Sequence, residues 1–108
     1  MSRPHYGTKP DANQNEIIEE LRARGYDVDI VSSLPGLYDL VVSGDKYMGV
    51  EGLDRDVYLP CSVRVEVKMP GKKLNETEKE YHAAQRHPNT LIIAESAEDI
   101  LRWFGGEG

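Results

Sequence analysis

The stretch Val65-Glu66-Val67-Lys68-Met69 holds the side chains best able to do chemistry. A strand period of two puts Glu66 and Lys68 on one side, away from the valines, so rigid backbone holds a carboxylate beside an amine. Taken alone, the pair also reads as a solvated ion pair on an exposed strand face. A second acid shifts the weight. Asp39 interrupts the apolar run of Leu37, Tyr38, Leu40, Val41 and Val42. An acid inside an apolar strand is costly unless it is paired or holds a metal. If the two strands are neighbours, Asp39 and Glu66 converge on one divalent cation.

The elements that must carry these residues follow from hydropathy and punctuation. Asp11 with Gln14 forms a capping-box signal and Gly25 a stop, which predicts a helix over 12–24. Ile17, Ile18 and Leu21 mark its apolar face with Gln14 at the centre, while Glu16, Glu19 and Glu20 point outward. Residues 26–33 alternate as a half-buried strand, Leu34-Pro35-Gly36 turns the chain, and Leu37 to Ser43 forms a second apolar run. Gly44-Asp45 reads as a turn, Tyr47 to Val50 as the start of a third strand, and Glu51 to Pro60 as a charged loop. Strand character returns over Ser62 to Met69. Asn75 and Glu78 then signal a helix stopped by Pro88, Leu91 to Ala94 a short strand, and Ser96 the cap of a last helix with Ile100, Leu101, Trp103 and Phe104. The expected order is α, three strands in a meander, α, β, α, an α/β chain. Residues 1–10 read as a flexible, mildly basic arm and 105–108 as a frayed end.

The 108 residues fit one domain, expected over 11–104. Thirteen basic and nineteen acidic side chains give a net charge of -6, which excludes a generic basic coat for nucleic acid. No apolar run approaches the ~18 residues of a membrane span, and the first residues lack a signal-peptide core, so a soluble, cytoplasmic protein is expected. Cys61 stands alone and reads as an ordinary thiol. His5, His82 and His87 lack metal-ligand spacing and read as surface histidines, His82 being the best placed for a phosphate. Trp103 and Phe104 read as core or dimer contacts.

Asp39 followed by Glu66-Val67-Lys68, on elements in the order αβββαβ, resembles the PD-(D/E)XK nuclease superfamily and its restriction-endonuclease-like core, a mixed central sheet flanked by helices. The likeness extends to Asp11 through Ile17, Leu21 through Gly25, Gly36 through Val42 and Lys73 through Glu78. Together these look like the small stand-alone phage and prophage nucleases of the VRR-NUC type, over roughly residues 11–104. The resemblance implies that Asp39 and Glu66 are metal-binding carboxylates, the Val67 carbonyl a further ligand and Lys68 the catalytic lysine. It places the first-helix motif on Gln14, where many relatives have Glu. Being neutral, Gln14 would orient water rather than hold the ion by charge. Glu78 matches an acid or amide that follows the ExK strand, and Glu16 is a supporting residue. Tyr38 stands where the namesake proline is expected, and the acids lie 27 positions apart, 66 minus 39, the excess falling in an acidic insert at 47–61.

The implied activity is a divalent-metal-dependent DNA endonuclease that hydrolyses phosphodiesters in branched DNA such as Holliday junctions. The implied cofactor is Mg²⁺, with Mn²⁺ able to substitute. The resemblance further implies a homodimer of phage or bacterial origin. Because the chain is acidic overall, local cations must hold DNA: Lys72, Lys73 and Arg86, with Arg3 and Lys9 on the arm. Two alternatives stay open: a non-catalytic DNA- or protein-binding module on the same fold, and a nicking nuclease that acts with partners. The apolar residues of the last helix, or Leu53, Val57, Tyr58 and Leu59 of the insert, would supply a dimer contact.

Overall fold

The computed structural model describes residues 13–31, 38–49, 52 and 55–105. Their elements run α1 (Gln14–Ala23), β1 (Asp27–Ile30), β2 (Leu40–Tyr47), β3 (Tyr58–Val67), α2 (Glu76–Ala83), a 3-10 turn (Pro88–Thr90), β4 (Leu91–Ala94) and α3 (Ala97–Trp103). The chain is therefore α/β, with a four-stranded mixed sheet in the order β1-β2-β3-β4. The first three strands form an antiparallel meander, and β4 returns parallel to β3. A parallel return needs a crossover, and α2 with the 3-10 turn supplies it.

Alternation divides the sheet into two unlike faces. Val63, Val65 and Val67 of β3 join Leu40 and Val42 of β2 in one apolar layer. Ile17, Ile18 and Leu21 of α1 and Ile100 and Leu101 of α3, followed by Phe104, close over it. Arg64, Glu66 and Lys68 consequently face the other way. That face carries α2, tied down by Tyr81 and Gln85 to Arg64 and by Glu78 to Lys68.

Several boundaries differ from the sequence expectation. Helix α1 begins at Gln14 with Asn13 at its N-cap, not at residue 12 with an Asp11–Gln14 box, and Asp11 lies outside the described residues. The Asn13 amide leaves the cap and donates instead to the carbonyls of Lys68 and Glu95, pinning the helix start to the ends of β3 and β4. Gly25, at φ 94, ends the helix as expected. The expected Gly44-Asp45 turn lies inside β2, where Gly44 pairs with Cys61 and Asp45 with Pro60. Glycine serves close approach here, because a Cβ on Gly44 would run into the Tyr26 ring.

The insert is also reshaped. Tyr47 ends β2 instead of opening a strand, and the expected charged loop gives way at Tyr58, where β3 starts opposite Tyr47. These residues lack alternation because Tyr58, Leu59 and Pro60 are all exposed, on an arm that extends past the core. Since Lys68 donates its N–H to β4, even-numbered residues of β3 point their backbone groups away from β2. Pro60, with no N–H, thus occupies a position on the open edge of β3, where it costs no ladder bond and hinders pairing with another strand.

Helix α2 ends at Ala83, short of Pro88, which instead opens the 3-10 turn. Ser96 holds the N-cap position of α3 without a side-chain cap, while the Asp99 carboxylate accepts the Glu95 N–H. The last helix leaves little apolar surface for a partner. Ile100, Leu101 and Phe104 are core, the Trp103 indole donates to the Asn89 carbonyl, and Lys46 lies over its ring. The expectation of surplus apolar surface on this helix is corrected accordingly. Exposed apolar side chains cluster instead on the β2–β3 arm, at Tyr47, Met48, Tyr58 and Leu59. Among the described residues, no helix is long and apolar enough to cross a membrane.

Candidate active site

Asp39 immediately precedes β2, at a bend where the backbone serves two neighbours. Its N–H donates to the Val65 carbonyl on β3, and its carbonyl accepts the Val31 N–H. This double anchor sets the side chain over the C-terminal part of β3, where one carboxylate oxygen accepts the Val67 N–H at 2.8 Å. Within a strand the N–H and C=O of one residue share an edge, so the Val67 carbonyl lies on the Asp39 side of β3.

Glu66 is 5% exposed, far from a solvated strand position, because α2 covers this part of the sheet. The expected exposed charged face is corrected on this point. Lys68 Nζ lies 3.7 Å from Glu66 Oε2 and 2.9 Å from Glu78 Oε1. Glu78 holds its place through the expected capping box: its carboxylate accepts the Asn75 N–H at 2.9 Å while Asn75 accepts the Glu78 N–H at 2.8 Å. One side chain thus caps α2 and grips the lysine.

The electrostatics follow from crowding. Burial pushes Glu66 up to about 9, helped by the charges of Asp39 and Glu78 and opposed by Lys68. Burial acts on Glu78 in the same sense, but the Asn75 N–H and Lys68 outweigh it and hold Glu78 below the ordinary carboxylate range. Asp39 and Glu78 act on Glu66 as like charges and Lys68 as the opposite one, so a cation bound between the acids would relieve the crowding that keeps Glu66 protonated.

The hard-oxygen donors fit Mg²⁺ or Mn²⁺. They comprise the carboxylates of Asp39 and Glu66 with the Val67 carbonyl. Gln14, 3% exposed, has a buried Oε1 with no hydrogen-bond partner and follows Asn13, whose amide bonds the Lys68 carbonyl, but its helix packs on the apolar face of the sheet, opposite Glu66. Among the described residues, no set of three or more His, Cys, Asp or Glu side chains forms a ready metal cluster, so carbonyl oxygens would have to complete the shell.

The expected site residues separate into groups. Asp39, Glu66, Val67, Lys68 and Glu78 come together. Glu16 is exposed and directed away from the core face of α1. Lys72, Lys73 and Arg86 are exposed on the segments that flank α2. Arg3 and Lys9 lie outside the described residues. Asn13 and Arg64 were not anticipated, and His82 was expected only as the surface histidine best placed for a phosphate. His82, one turn beyond Glu78, is no simple surface histidine: its Nε2 is buried without a partner. Burial holds it below the usual histidine range, Arg64 and Lys68 adding to the effect and Glu78 opposing it. The period of two that selects Glu66 and Lys68 also selects Arg64, and a spacing of four from Glu78 selects His82.

No family model, curated protein or solved structure matches the chain.

Proposed function

We propose that this chain is a divalent-metal-dependent DNA endonuclease on a restriction-endonuclease-like core of the PD-(D/E)XK type, selective for branched DNA. The observation that carries the reading is the meeting of Asp39 with the Glu66-Val67-Lys68 strand through the Asp39–Val67 hydrogen bond. Two acids, one just before β2 and one on β3, with a lysine two residues beyond the second, are groups able to support metal-assisted phosphodiester hydrolysis, and here they lie toward one end of the sheet. The sheet order and the αβββαβ succession support the same core.

Asp39, Glu66 and the Val67 carbonyl would hold Mg²⁺. When bound, the ion supplies Lewis acidity toward the phosphate and an acidified water. Lys68 stabilises the negative charge that builds on the phosphate oxygens, and Glu78 keeps its ammonium aimed into the site. Asn13 fixes the end of β3 by bonding the Lys68 carbonyl, so that the lysine and the first helix turn move as one piece. Lys72, Lys73 and Arg86 bind the DNA backbone. Two copies joined through the β2–β3 arms would bring two sites to two strands.

The firm hold of Glu78 on Lys68 favours one competing reading, a non-catalytic binding module in which these ions are structural. Incubation with labelled duplex, nicked, flap and four-way DNA in Mg²⁺, Mn²⁺ or EDTA separates the two. Metal-dependent incision of the four-way substrate is expected. Intact DNA of every form, with or without metal, would support the binding module.

A further inference from the structure

Arg64 occupies the same sheet face as Glu66 and Lys68, two residues before Glu66 and about 6.8 Å from it along the strand. Its guanidinium is half-buried and unusually constrained. Nε donates to the Thr90 carbonyl at 3.3 Å and Nη2 to the Thr90 hydroxyl at 3.0 Å. Nη1 donates to Gln85 Oε1 at 2.5 Å and to the Tyr81 hydroxyl at 3.4 Å. The Tyr38 ring lies against it, 5.8 Å from ring centroid to Cζ.

All four acceptors are neutral. Among the described residues, no carboxylate stands within ion-pair distance of this guanidinium. A guanidinium has five N–H groups, so one on Nη2 is left over together with the full positive charge. A half-buried charge without a counter-charge is costly, and the neutral clamp keeps the fork from swinging out to water. Tyr38 adjoins Asp39 in the chain, so the same peptide that places the first carboxylate also buttresses the arginine. A preformed cation thus stands one strand step from the acids, oriented and unneutralised.

We propose that Arg64 binds a phosphodiester of the nucleic-acid backbone adjoining the phosphate at the Asp39–Glu66 site, through its remaining Nη2–H and its charge. This assignment rests on the nuclease reading. It gives the site a register along the strand: acids and Lys68 at one phosphate, Arg64 at the next. A purely structural arginine, pinning α2 and the 3-10 turn to β3, would show the same four bonds and no response to phosphate.

The test has two arms. In the first, the Arg64 Nε–Hε resonance of the metal-free protein is followed by NMR during titration with inorganic phosphate and with a short single-stranded oligothymidylate. Movement with the oligonucleotide at lower concentration than with free phosphate is expected. In the second, four-way DNA carries a neutral methylphosphonate at the phosphate on either side of the cleaved one. The wild-type protein should lose about ten- to a hundredfold in kcat/KM with one of the two, the loss of one charge-assisted hydrogen bond. Arg64→Gln should show that loss on ordinary DNA and no further loss on the methylphosphonate. If Arg64→Gln fails to fold, Arg64→Lys, which keeps the charge, should retain part of the discrimination. A resonance unmoved by either phosphate, or methylphosphonate losses equal in wild type and variant, would overturn the role of Arg64 and leave the nuclease reading intact. Failure of the wild-type protein to cut any DNA would remove that reading and the proposal with it.

Discussion

The Val67 backbone N–H donates to the Asp39 carboxylate at 2.8 Å, joining a side chain placed just before β2 to the main chain of β3. The bond holds one acid in fixed relation to Glu66 and Lys68, on either side of Val67, before any ligand arrives. Part of the organisation that the proposed catalysis would need is therefore built into the ladder itself.

That anchor separates the effect of charge from the effect of position. Asp39→Asn keeps an oxygen able to accept the Val67 N–H but removes the charge. Asp39→Ala removes both, at an added cost of about 1–2 kcal/mol in stability. Asp39→Asn and Glu66→Gln should each lower metal-dependent cleavage at least about a hundredfold. In both, Mn²⁺ binding followed by calorimetry should disappear while the circular dichroism spectrum is kept. Retained Mn²⁺ binding in both variants would argue against the acids as ligands.

Glu66 makes the metal-free fold sensitive to pH. Unfolded, it titrates near its ordinary 4.5, and folded, it is pushed up to about 9. Between these values the folded chain holds a proton that the unfolded chain has lost, so stability declines as pH rises through that window. In EDTA, Tm should fall by about 5 °C or more across this range, corresponding to a change of order 1 kcal/mol in a domain this size. Glu66→Gln should flatten the dependence and raise Tm at the alkaline end. An identical slope in the variant would exclude Glu66 as its source.

On the proposed function, Lys68 and the loop lysines are expected to act at different stages. Lys68→Met preserves length and removes the charge, and should lower kcat about a hundredfold with DNA affinity little changed. It should also lower Tm, since Glu78 loses the partner 2.9 Å away. Lys72→Ala with Lys73→Ala should leave kcat alone, weaken binding and reduce the slope of log affinity against log salt by roughly 1–2. If Lys68→Met changed affinity alone, the lysine would be one more phosphate contact.

Assembly should depend on the arm. Tyr58 and Leu59, 53% and 48% exposed, leave apolar surface that the chain's own core does not cover. Light scattering at micromolar concentration should report about twice the 12.1 kDa chain mass. Tyr58→Lys with Leu59→Lys should return a folded monomer that nicks one strand without paired incision. A wild-type monomer, both free and on four-way DNA, would favour the nicking alternative.

The meeting of Asp39 with the Glu66-Val67-Lys68 strand depended on the two strands being neighbours, whereas the element order and the meander were legible in the sequence, because side-chain alternation and capping residues are local signals. Gln14 is the clearest case: helix phase alone turned it inward, and it is buried. The β2–β3 arm was illegible for the corresponding reason. Its residues are exposed, no buried face imposes a period, and Gly44-Asp45 then mimics a turn although the ladder runs through it.

What the tertiary structure alone decided is the environment of the charged face. Alternation told which way Glu66, Lys68 and Arg64 point, but a strand period says nothing about what covers them. Only the crossover that lays α2 across this face turns Glu66 from a solvated acid into a buried one, brings Glu78 onto Lys68, and closes neutral acceptors around Arg64. Likewise, Ile100, Leu101 and Phe104 looked like surplus apolar surface until α3 lay beside α1 on the opposite face. Burial belongs to pairs of elements distant in the chain, so residue type and spacing determined direction while packing determined energy.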